Sequence, residues 1–99
     1  MAFYTYIVAS KRNGTLYVGS TDSIVKRTGE HREGLRKGFT KKYGVHILVW
    51  YEVQETRPAA FRRERQITEW KRVWKLELIE KSNPGWTDLW DGFWTIDGV

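Results

Sequence analysis

Apolar and polar positions predict three β-strands in the first 53 residues. Residues 3–8 and 15–19 are rich in aromatic and β-branched side chains, which strands favour. The polar segment between them ends in Asn13-Gly14, so a two-residue turn and a β-hairpin are predicted. Residues 46–53 predict the third strand, and their continuous apolar centre favours burial on both faces and a central place in the sheet.

Helical spacing predicts the first helix directly after the hairpin. Its apolar face begins at Ile24 and recurs every three or four residues as far as Leu35, and a capping residue is expected among residues 20–22. Residues 36–44 follow as a loop in which basic and aromatic residues alternate. This loop is a candidate contact for an anionic partner.

Two more helices are predicted in the second half of the chain, separated by a kink near Trp70. Residues 57–58 (Arg-Pro) begin the first of them, because proline is favoured in a first helical turn, and residues 83–85 (Asn-Pro-Gly) end the second. Three tryptophans then recur every four residues, which fits either a short amphipathic helix or a loosely ordered aromatic tail; they are Trp86, Trp90 and Trp94.

The elements together predict a single domain of the α/β (α+β) class. The order β-β-α-β-α-α predicts a small three-stranded mixed β-sheet flanked by helices. The 99 residues suit one domain over 1–99, with a core over 3–89 and a C-terminal tail over 90–99. A cytoplasmic location is expected, because no apolar run is long enough to span a membrane, no secretion signal is visible and no cysteine is present.

The positive charge is concentrated in the first half of the chain. The net charge of the whole chain is +5, and residues 1–50 carry nine lysines and arginines against three acidic residues. A basic surface of this kind favours an anionic partner, with nucleic acid first. The alternative is a basic surface that only keeps the protein in solution.

Several polar residues are placed where they can carry chemistry. Strand alternation puts Tyr4 and Tyr6 on one face of the hairpin, and cross-strand pairing brings Tyr17 beside one of them. Tyrosine is also simply a good strand residue. Arg27 and His31 lie four residues apart on the first helix, beside its apolar face, where the guanidinium either reaches an anion held against the sheet or extends into solvent.

Glu64 is an acid at the edge of an apolar helical face. Ala60 precedes it by four residues and Ile67 follows it by three. A carboxylate in that position suits a hard cation such as Mg²⁺. The alternative is pairing within the helix, with Arg63 or Arg65.

In order and spacing, these residues resemble the GIY-YIG nuclease superfamily. Residues 4–6 (Tyr-Thr-Tyr) and, after ten further residues, 17–19 (Tyr-Val-Gly) resemble its two short motifs, with Tyr4 in place of the first glycine. Arg27 and Glu64 match the arginine and the metal-binding glutamate of that family. The resemblance extends from about residue 3 to residue 89 and is closest to the small, single-domain bacterial branch, which is related to the first-incision domain of the excision-repair protein UvrC.

The resemblance implies a metal-dependent endonuclease that hydrolyses phosphodiester bonds in DNA, with DNA repair or recombination as the expected context. Glu64 would hold one Mg²⁺ or Mn²⁺ ion, bound loosely without substrate. Arg27 would hold the scissile phosphate, and Tyr6 or Tyr17, with a preference for Tyr6, would take the proton from the attacking water. His31 stands where some relatives have a tyrosine, and would orient the nucleophile or have only a structural role.

DNA is the expected partner, RNA is left open and no membrane is expected. The basic residues expected to follow the phosphates are Lys11, Arg12, Arg36, Lys37, Lys41 and Lys42. A monomer or weak dimer is expected, with a protein partner for targeting, because the chain leaves little room for a specificity domain. The alternatives are a non-catalytic nucleic-acid-binding module that retains the nuclease fold and an interaction protein that uses the three tryptophans.

Overall fold

A computed structural model of the chain describes residues 2–33 and 42–95, the last two by their backbone alone. Strand β1 (Phe3–Ala9) is the centre of a three-stranded sheet. Strands β2 (Leu16–Thr21) and β3 (Ile47–Gln54) pair with it on either side, both antiparallel, so the order in the sheet is β2-β1-β3. The predicted α+β class and the order β-β-α-β-α-α are confirmed.

Two details of the predicted sheet are wrong. The sheet is antiparallel rather than mixed, because β1 pairs antiparallel with both β2 and β3. The central strand is β1 and not β3, as the order shows, and residues 5–9 are all buried whereas Val53 of β3 is 59% exposed. A bulge in β3 explains the misleading apolar centre: the register shifts after Ile7, so the consecutive residues Val49 and Trp50 both pack on the same face of the sheet.

The hairpin turn is longer than predicted. The last hydrogen bond between the two arms of the hairpin is donated by Ser10 N to Thr15 O at 3.0 Å. Within the loop, Gly14 N donates to Lys11 O at 2.9 Å. The loop therefore has four residues, 11–14, and the positive φ of 59° falls on Asn13. Asparagine tolerates this conformation better than most residues, so the Asn-Gly pair marks the turn without setting its length.

Helices cover both faces of the sheet. Helix α1 (Ile24–Arg32) lies on one face. Helices α2 (Arg57–Glu69) and α3 (Arg72–Ser82) lie on the other, separated at the predicted position by Trp70, whose ψ of 152° is extended. The expected side-chain cap of α1 is not formed by residues 20–22: its N-cap is Ser23, which makes no capping bond.

The apolar core has a part on each face of β1. Tyr6 and Val8 pack toward α1, whereas Ile7 and Ala9 pack toward α2 and α3. Thr5 is fully buried beneath α2, where its hydroxyl donates to Ala60 O at 2.9 Å. Because β2 is an edge strand, side chains of both layers meet along its outer side.

Trp86 and Trp90 of the C-terminal segment pack inward. Residues after α3 form a 3₁₀ turn (Leu89–Asp91) and the short helix α4 (Gly92–Thr95). Trp86 is 6% exposed, and Trp90 Nε1 donates to Val25 O at 3.1 Å. The side chain of Trp94 lies outside the described residues, so two of the three members of the proposed interaction stripe belong to the core. None of the helices in the described ranges has the length and apolar character that crossing a membrane requires.

Asn83 ties this C-terminal segment to the sheet. Its buried side chain donates to Val49 O at 3.0 Å and Thr87 O at 2.9 Å, and accepts from Thr87 N at 3.0 Å. Asn83→Ala is expected to lower the free energy of unfolding by about 2–3 kcal/mol, because the partners stay buried without it. Urea denaturation measures the loss. The exposed neighbour offers the control Ser82→Ala, expected within about 0.5 kcal/mol of wild type; equal losses in both variants would contradict the assignment.

Candidate active site

Tyr6 lies across Gly19 on the neighbouring strand. The two residues are paired in register, and a Cβ on Gly19 would lie 2.5 Å from the Tyr6 hydroxyl. Tyr6 is 2% exposed, and its hydroxyl is hydrogen-bonded to Nε2 of His31 on α1 at 3.0 Å. Both side chains are therefore fixed inside the core.

Tyr17 stands on the same face of β2 but nearer to solvent. Its ring centroid is 5.4 Å from that of His31, and the Tyr6 ring centroid is 5.8 Å from that of His31. Tyr17 is partly exposed, because β2 is the edge of the sheet. His31 therefore contacts both a buried tyrosine and a partly exposed one.

Glu64 reaches the same edge from the opposite layer. Helix α2 runs antiparallel to β2, since Arg57 at its start donates to Asp22 Oδ2 at 2.8 Å, just beyond the end of β2. That hydrogen bond lowers the pKa of Asp22. Further along, the Ser20 hydroxyl donates to Glu64 Oε1 at 2.7 Å. Glu64 is only partly buried, so its carboxylate is both oriented and accessible.

Tyr17 and Glu64 face one open groove of about 380 Å³ along β2. The other residues that line it are Leu16, Val18, Thr68 and Lys75. Because side chains alternate along a strand, Tyr17 and Ser20 lie on opposite faces of the sheet. The groove at the edge strand is therefore bordered by side chains from both layers. We call it the β2 groove.

Arg27 lies on α1 beside the buried Ile24. Helical spacing of 100° per residue puts Val25 and Arg27 on opposite sides of Ile24. The Val25 oxygen accepts from Trp90 of the turn beside β3, so Arg27 is on the flank of α1 away from that turn. Its side chain is 36% exposed and Nε lies 3.4 Å from Glu30 Oε1.

Three of the six basic residues predicted to contact phosphates lie among the described residues. Lys11 and Arg12 are exposed in the hairpin loop, and Lys42 is exposed with Nζ 5.5 Å from the Tyr43 ring centroid. Arg36, Lys37 and Lys41 lie outside the described residues.

Three residues in or beside the groove have contacts that the sequence did not reveal. Ser20 is noticeable only as a serine after the second motif, yet it orients Glu64. Lys75 and Arg72 lie near β2 because α3 packs against the hairpin, and no spacing within the sequence signals that contact.

A divalent cation is compatible with the oxygen groups of the groove. Glu64 brings one carboxylate with the Ser20 hydroxyl beside it, and within residues 2–33 and 42–95 no three acidic, histidine or cysteine side chains are placed together to hold a metal ion. His31 is in the other layer, bonded to Tyr6. Such a site suits Mg²⁺ or Mn²⁺, which take oxygen ligands and keep several waters, and does not suit structural zinc.

The fold and the two tyrosine motifs define the class of this protein. The family described as the GIY-YIG catalytic domain matches residues 2–77, and the chain belongs to that family. The resemblance drawn from the sequence is confirmed to this extent.

Closer relatives carry the designation UPF0213. The chain is 36% identical over 78 residues to the UPF0213 protein SH2523 of Staphylococcus haemolyticus and 37% identical over 78 residues to SSP2268 of Staphylococcus saprophyticus, covering 79% of this chain and 94% of each relative. The solution NMR structure of the UPF0213 protein BH0048 from Bacillus halodurans shares the fold, with a TM-score of 0.55 and 24% identity over 89% of this chain and 93% of that one. Their names state no activity.

Gly19 is expected to admit no side chain. In Gly19→Ala the new methyl group would meet the buried Tyr6 ring, which His31 holds in place, so a loss of about 1–3 kcal/mol in unfolding free energy is expected. Gly29→Ala is the matched control: its methyl group would lie 3.7 Å from Trp90, an ordinary contact, and alanine favours the helix by about 0.5–1 kcal/mol. The melting temperature should fall in Gly19→Ala and rise in Gly29→Ala. A Gly19→Ala protein as stable as wild type would refute the close packing of Tyr6 on Gly19.

Proposed function

We propose that the β2 groove hydrolyses phosphodiester bonds in DNA and that the protein is a metal-dependent endonuclease. One observation carries the proposal: Tyr17 and Glu64, from opposite layers of the sheet, face the same open groove. Arg27, partly exposed on α1 and paired with Glu30 at 3.4 Å, is the cation that we propose for the substrate phosphate. Membership of the GIY-YIG family supports a nuclease-type activity.

Tyr17 is the proposed general base, in place of Tyr6. A base must reach the attacking water, and Tyr17 is accessible in the groove whereas Tyr6 is 2% exposed and bonded to His31. His31, bonded to Tyr6 and beside the Tyr17 ring, is the proposed positioning residue.

Arg27 is the proposed phosphate ligand. Its guanidinium is paired only loosely with Glu30, at 3.4 Å, and is accessible enough to exchange that contact for a phosphate. A guanidinium donates paired hydrogen bonds to phosphate oxygens and stabilises the charge that develops on them during attack.

Glu64 is the proposed cation ligand. Ser20 holds Oε1, and no described residue bonds Oε2, so the carboxylate is oriented with one oxygen available. When bound, a divalent cation would stabilise negative charge on the phosphate and on the leaving oxygen. One carboxylate holds such an ion weakly, so Glu64 would retain it best when the phosphate of the substrate is also present.

The groove is open along an edge strand, which favours recognition of the sugar-phosphate backbone over that of base sequence. We therefore propose cleavage with low sequence specificity, selected by the structure of the DNA or by a protein partner.

A panel of substrates tests the proposed activity. The protein is incubated with supercoiled, single-stranded and branched DNA, and with RNA of the same sequences, in Mg²⁺ or Mn²⁺ and in EDTA. Cleavage of at least one DNA that EDTA abolishes is the expected result. Salt-dependent binding without cleavage of any substrate would instead establish a non-catalytic binding module.

A further inference from the structure

The β2 groove continues beyond the proposed active site toward the hairpin turn. A second depression, of about 520 Å³, adjoins it and shares Leu16 and Lys75 as lining residues. Its other lining residues are Asn13, Gly14, Thr15 and Arg72. A ligand in the groove can therefore extend along the edge of β2 from Glu64 to the turn.

Arg72 is fixed at the far end of this extension. Its Nη2 donates to Asn13 O at 2.7 Å and to Gly14 O at 2.6 Å, so the first residue of α3 is pinned to the hairpin. A guanidinium has five N–H donors, and these two bonds use one nitrogen only. The donors on Nε and Nη1 have no acceptor in the described part of the chain, and Arg72 lines the depression.

Lys75 lies between the two depressions. Its Nζ donates one hydrogen bond, to Thr68 O at 3.1 Å, and neither Lys75 nor Arg72 is paired with a carboxylate of the described residues. Burial and the neighbouring charge of Arg72 lower the pKa of Lys75. Two cations without a counter-charge, one turn apart on a rigid helix, favour an anion between them.

We propose that Arg72 and Lys75 form a second phosphate-binding site, which holds the nucleic-acid backbone a few nucleotides from the phosphate that is cleaved. From Ser20, beside Glu64, to Leu16, which lines both depressions, is four residues of strand, about 13 Å at ~3.3 Å per residue, and Arg72 lies beyond Leu16 at the hairpin turn. DNA rises ~3.4 Å per nucleotide along its axis, so a phosphate held between Arg72 and Lys75 is a different one from the scissile phosphate. The inference rests on the proposed function of the β2 groove.

A salt titration of binding tests the second site. Lys75→Gln and the matched control Lys81→Gln, an exposed lysine at the other end of α3, are made in a Glu64→Gln background to prevent cleavage. The affinity for a labelled single-stranded oligonucleotide is measured by fluorescence anisotropy over a range of NaCl concentrations. Lys75→Gln is expected to weaken binding several-fold and to reduce the slope of log K against log salt by about 0.7, as for one lost phosphate contact.

The control variant decides the outcome. Lys81→Gln should show the same slope of log K against log salt as the Glu64→Gln protein in which it is made. Equal slopes for Lys75→Gln and Lys81→Gln would overturn the second site. Loss of folding is not expected: the lowered pKa means that the charge of Lys75 opposes folding at neutral pH, an effect that fades as the pH rises through the lowered pKa. Thermal denaturation of Lys75→Gln should therefore show no loss of stability.

The two proposals can fail separately. A wild-type protein that cleaves no substrate, with a Lys75-dependent slope, would leave the phosphate site standing and remove the nuclease. Cleavage of DNA by the wild-type protein, together with a salt slope that Lys75→Gln does not change, would support the nuclease and remove the second phosphate site.

Discussion

Glu64→Gln is expected to cleave DNA at least about 100-fold more slowly than wild type and to remain equally stable. Glutamine keeps the size of the side chain and an oxygen that accepts the Ser20 hydroxyl at the position of Oε1, but it lacks the negative charge that holds a cation. Loss of one preorganised electrostatic contact in an active site costs about 10²–10³ in rate. Initial rates on a labelled oligonucleotide and the melting temperature are measured on the same preparation.

Glu69→Gln is the matched control for this variant. Glu69 is an exposed glutamate at the end of the same helix, outside the residues that line the β2 groove. Its replacement should change neither rate nor stability. A similar loss of rate in both variants would show that the net charge of α2, and not Glu64 itself, supports cleavage.

Tyr17→Phe is expected to reduce the cleavage rate by about 100-fold or more, because it removes the proposed general base while keeping the ring that packs beside His31. The pH dependence of the rate should flatten in this variant, which a change in packing alone would not cause. Circular dichroism and thermal denaturation should match wild type, since Tyr17 is at the edge of the sheet and partly exposed.

The variant Tyr6→Phe distinguishes the role of Tyr6 from that of Tyr17. It removes the buried hydrogen bond to His31 and is expected to cost about 0.5–1.5 kcal/mol in stability, with a smaller effect on rate than Tyr17→Phe. If Tyr6→Phe abolished cleavage and Tyr17→Phe did not, the roles of the two residues would be reversed.

Features with local causes were predictable from the sequence. The proline at position 58 marks the start of α2, the Asn-Pro-Gly segment follows α3, and the aromatic strands form the hairpin, as the patterns indicate. The tyrosine, arginine and glutamate motifs were sufficient to recognise the family.

Features that depend on pairing between distant segments were not predictable. Which strand is central depends on which member of the hairpin β3 joins, and the bulge in β3 hides the alternation of faces. The burial of Tyr6 was not predictable for the same reason, since it follows from the register that lays its ring on Gly19. Lys75 lines the β2 groove, and Arg72 the depression that adjoins it, through the packing of α3 on the hairpin, which a linear motif does not encode.

The central claim is that the β2 groove is a phosphodiesterase site built around Glu64. Its most direct test is the rate of Mg²⁺- or Mn²⁺-dependent DNA cleavage by wild type and by Glu64→Gln, purified side by side by one procedure. The account predicts cleavage by wild type that EDTA abolishes, and a rate at least about 100-fold lower in the variant with DNA binding retained. Equal cleavage by the two proteins, or binding without cleavage by wild type, would contradict it.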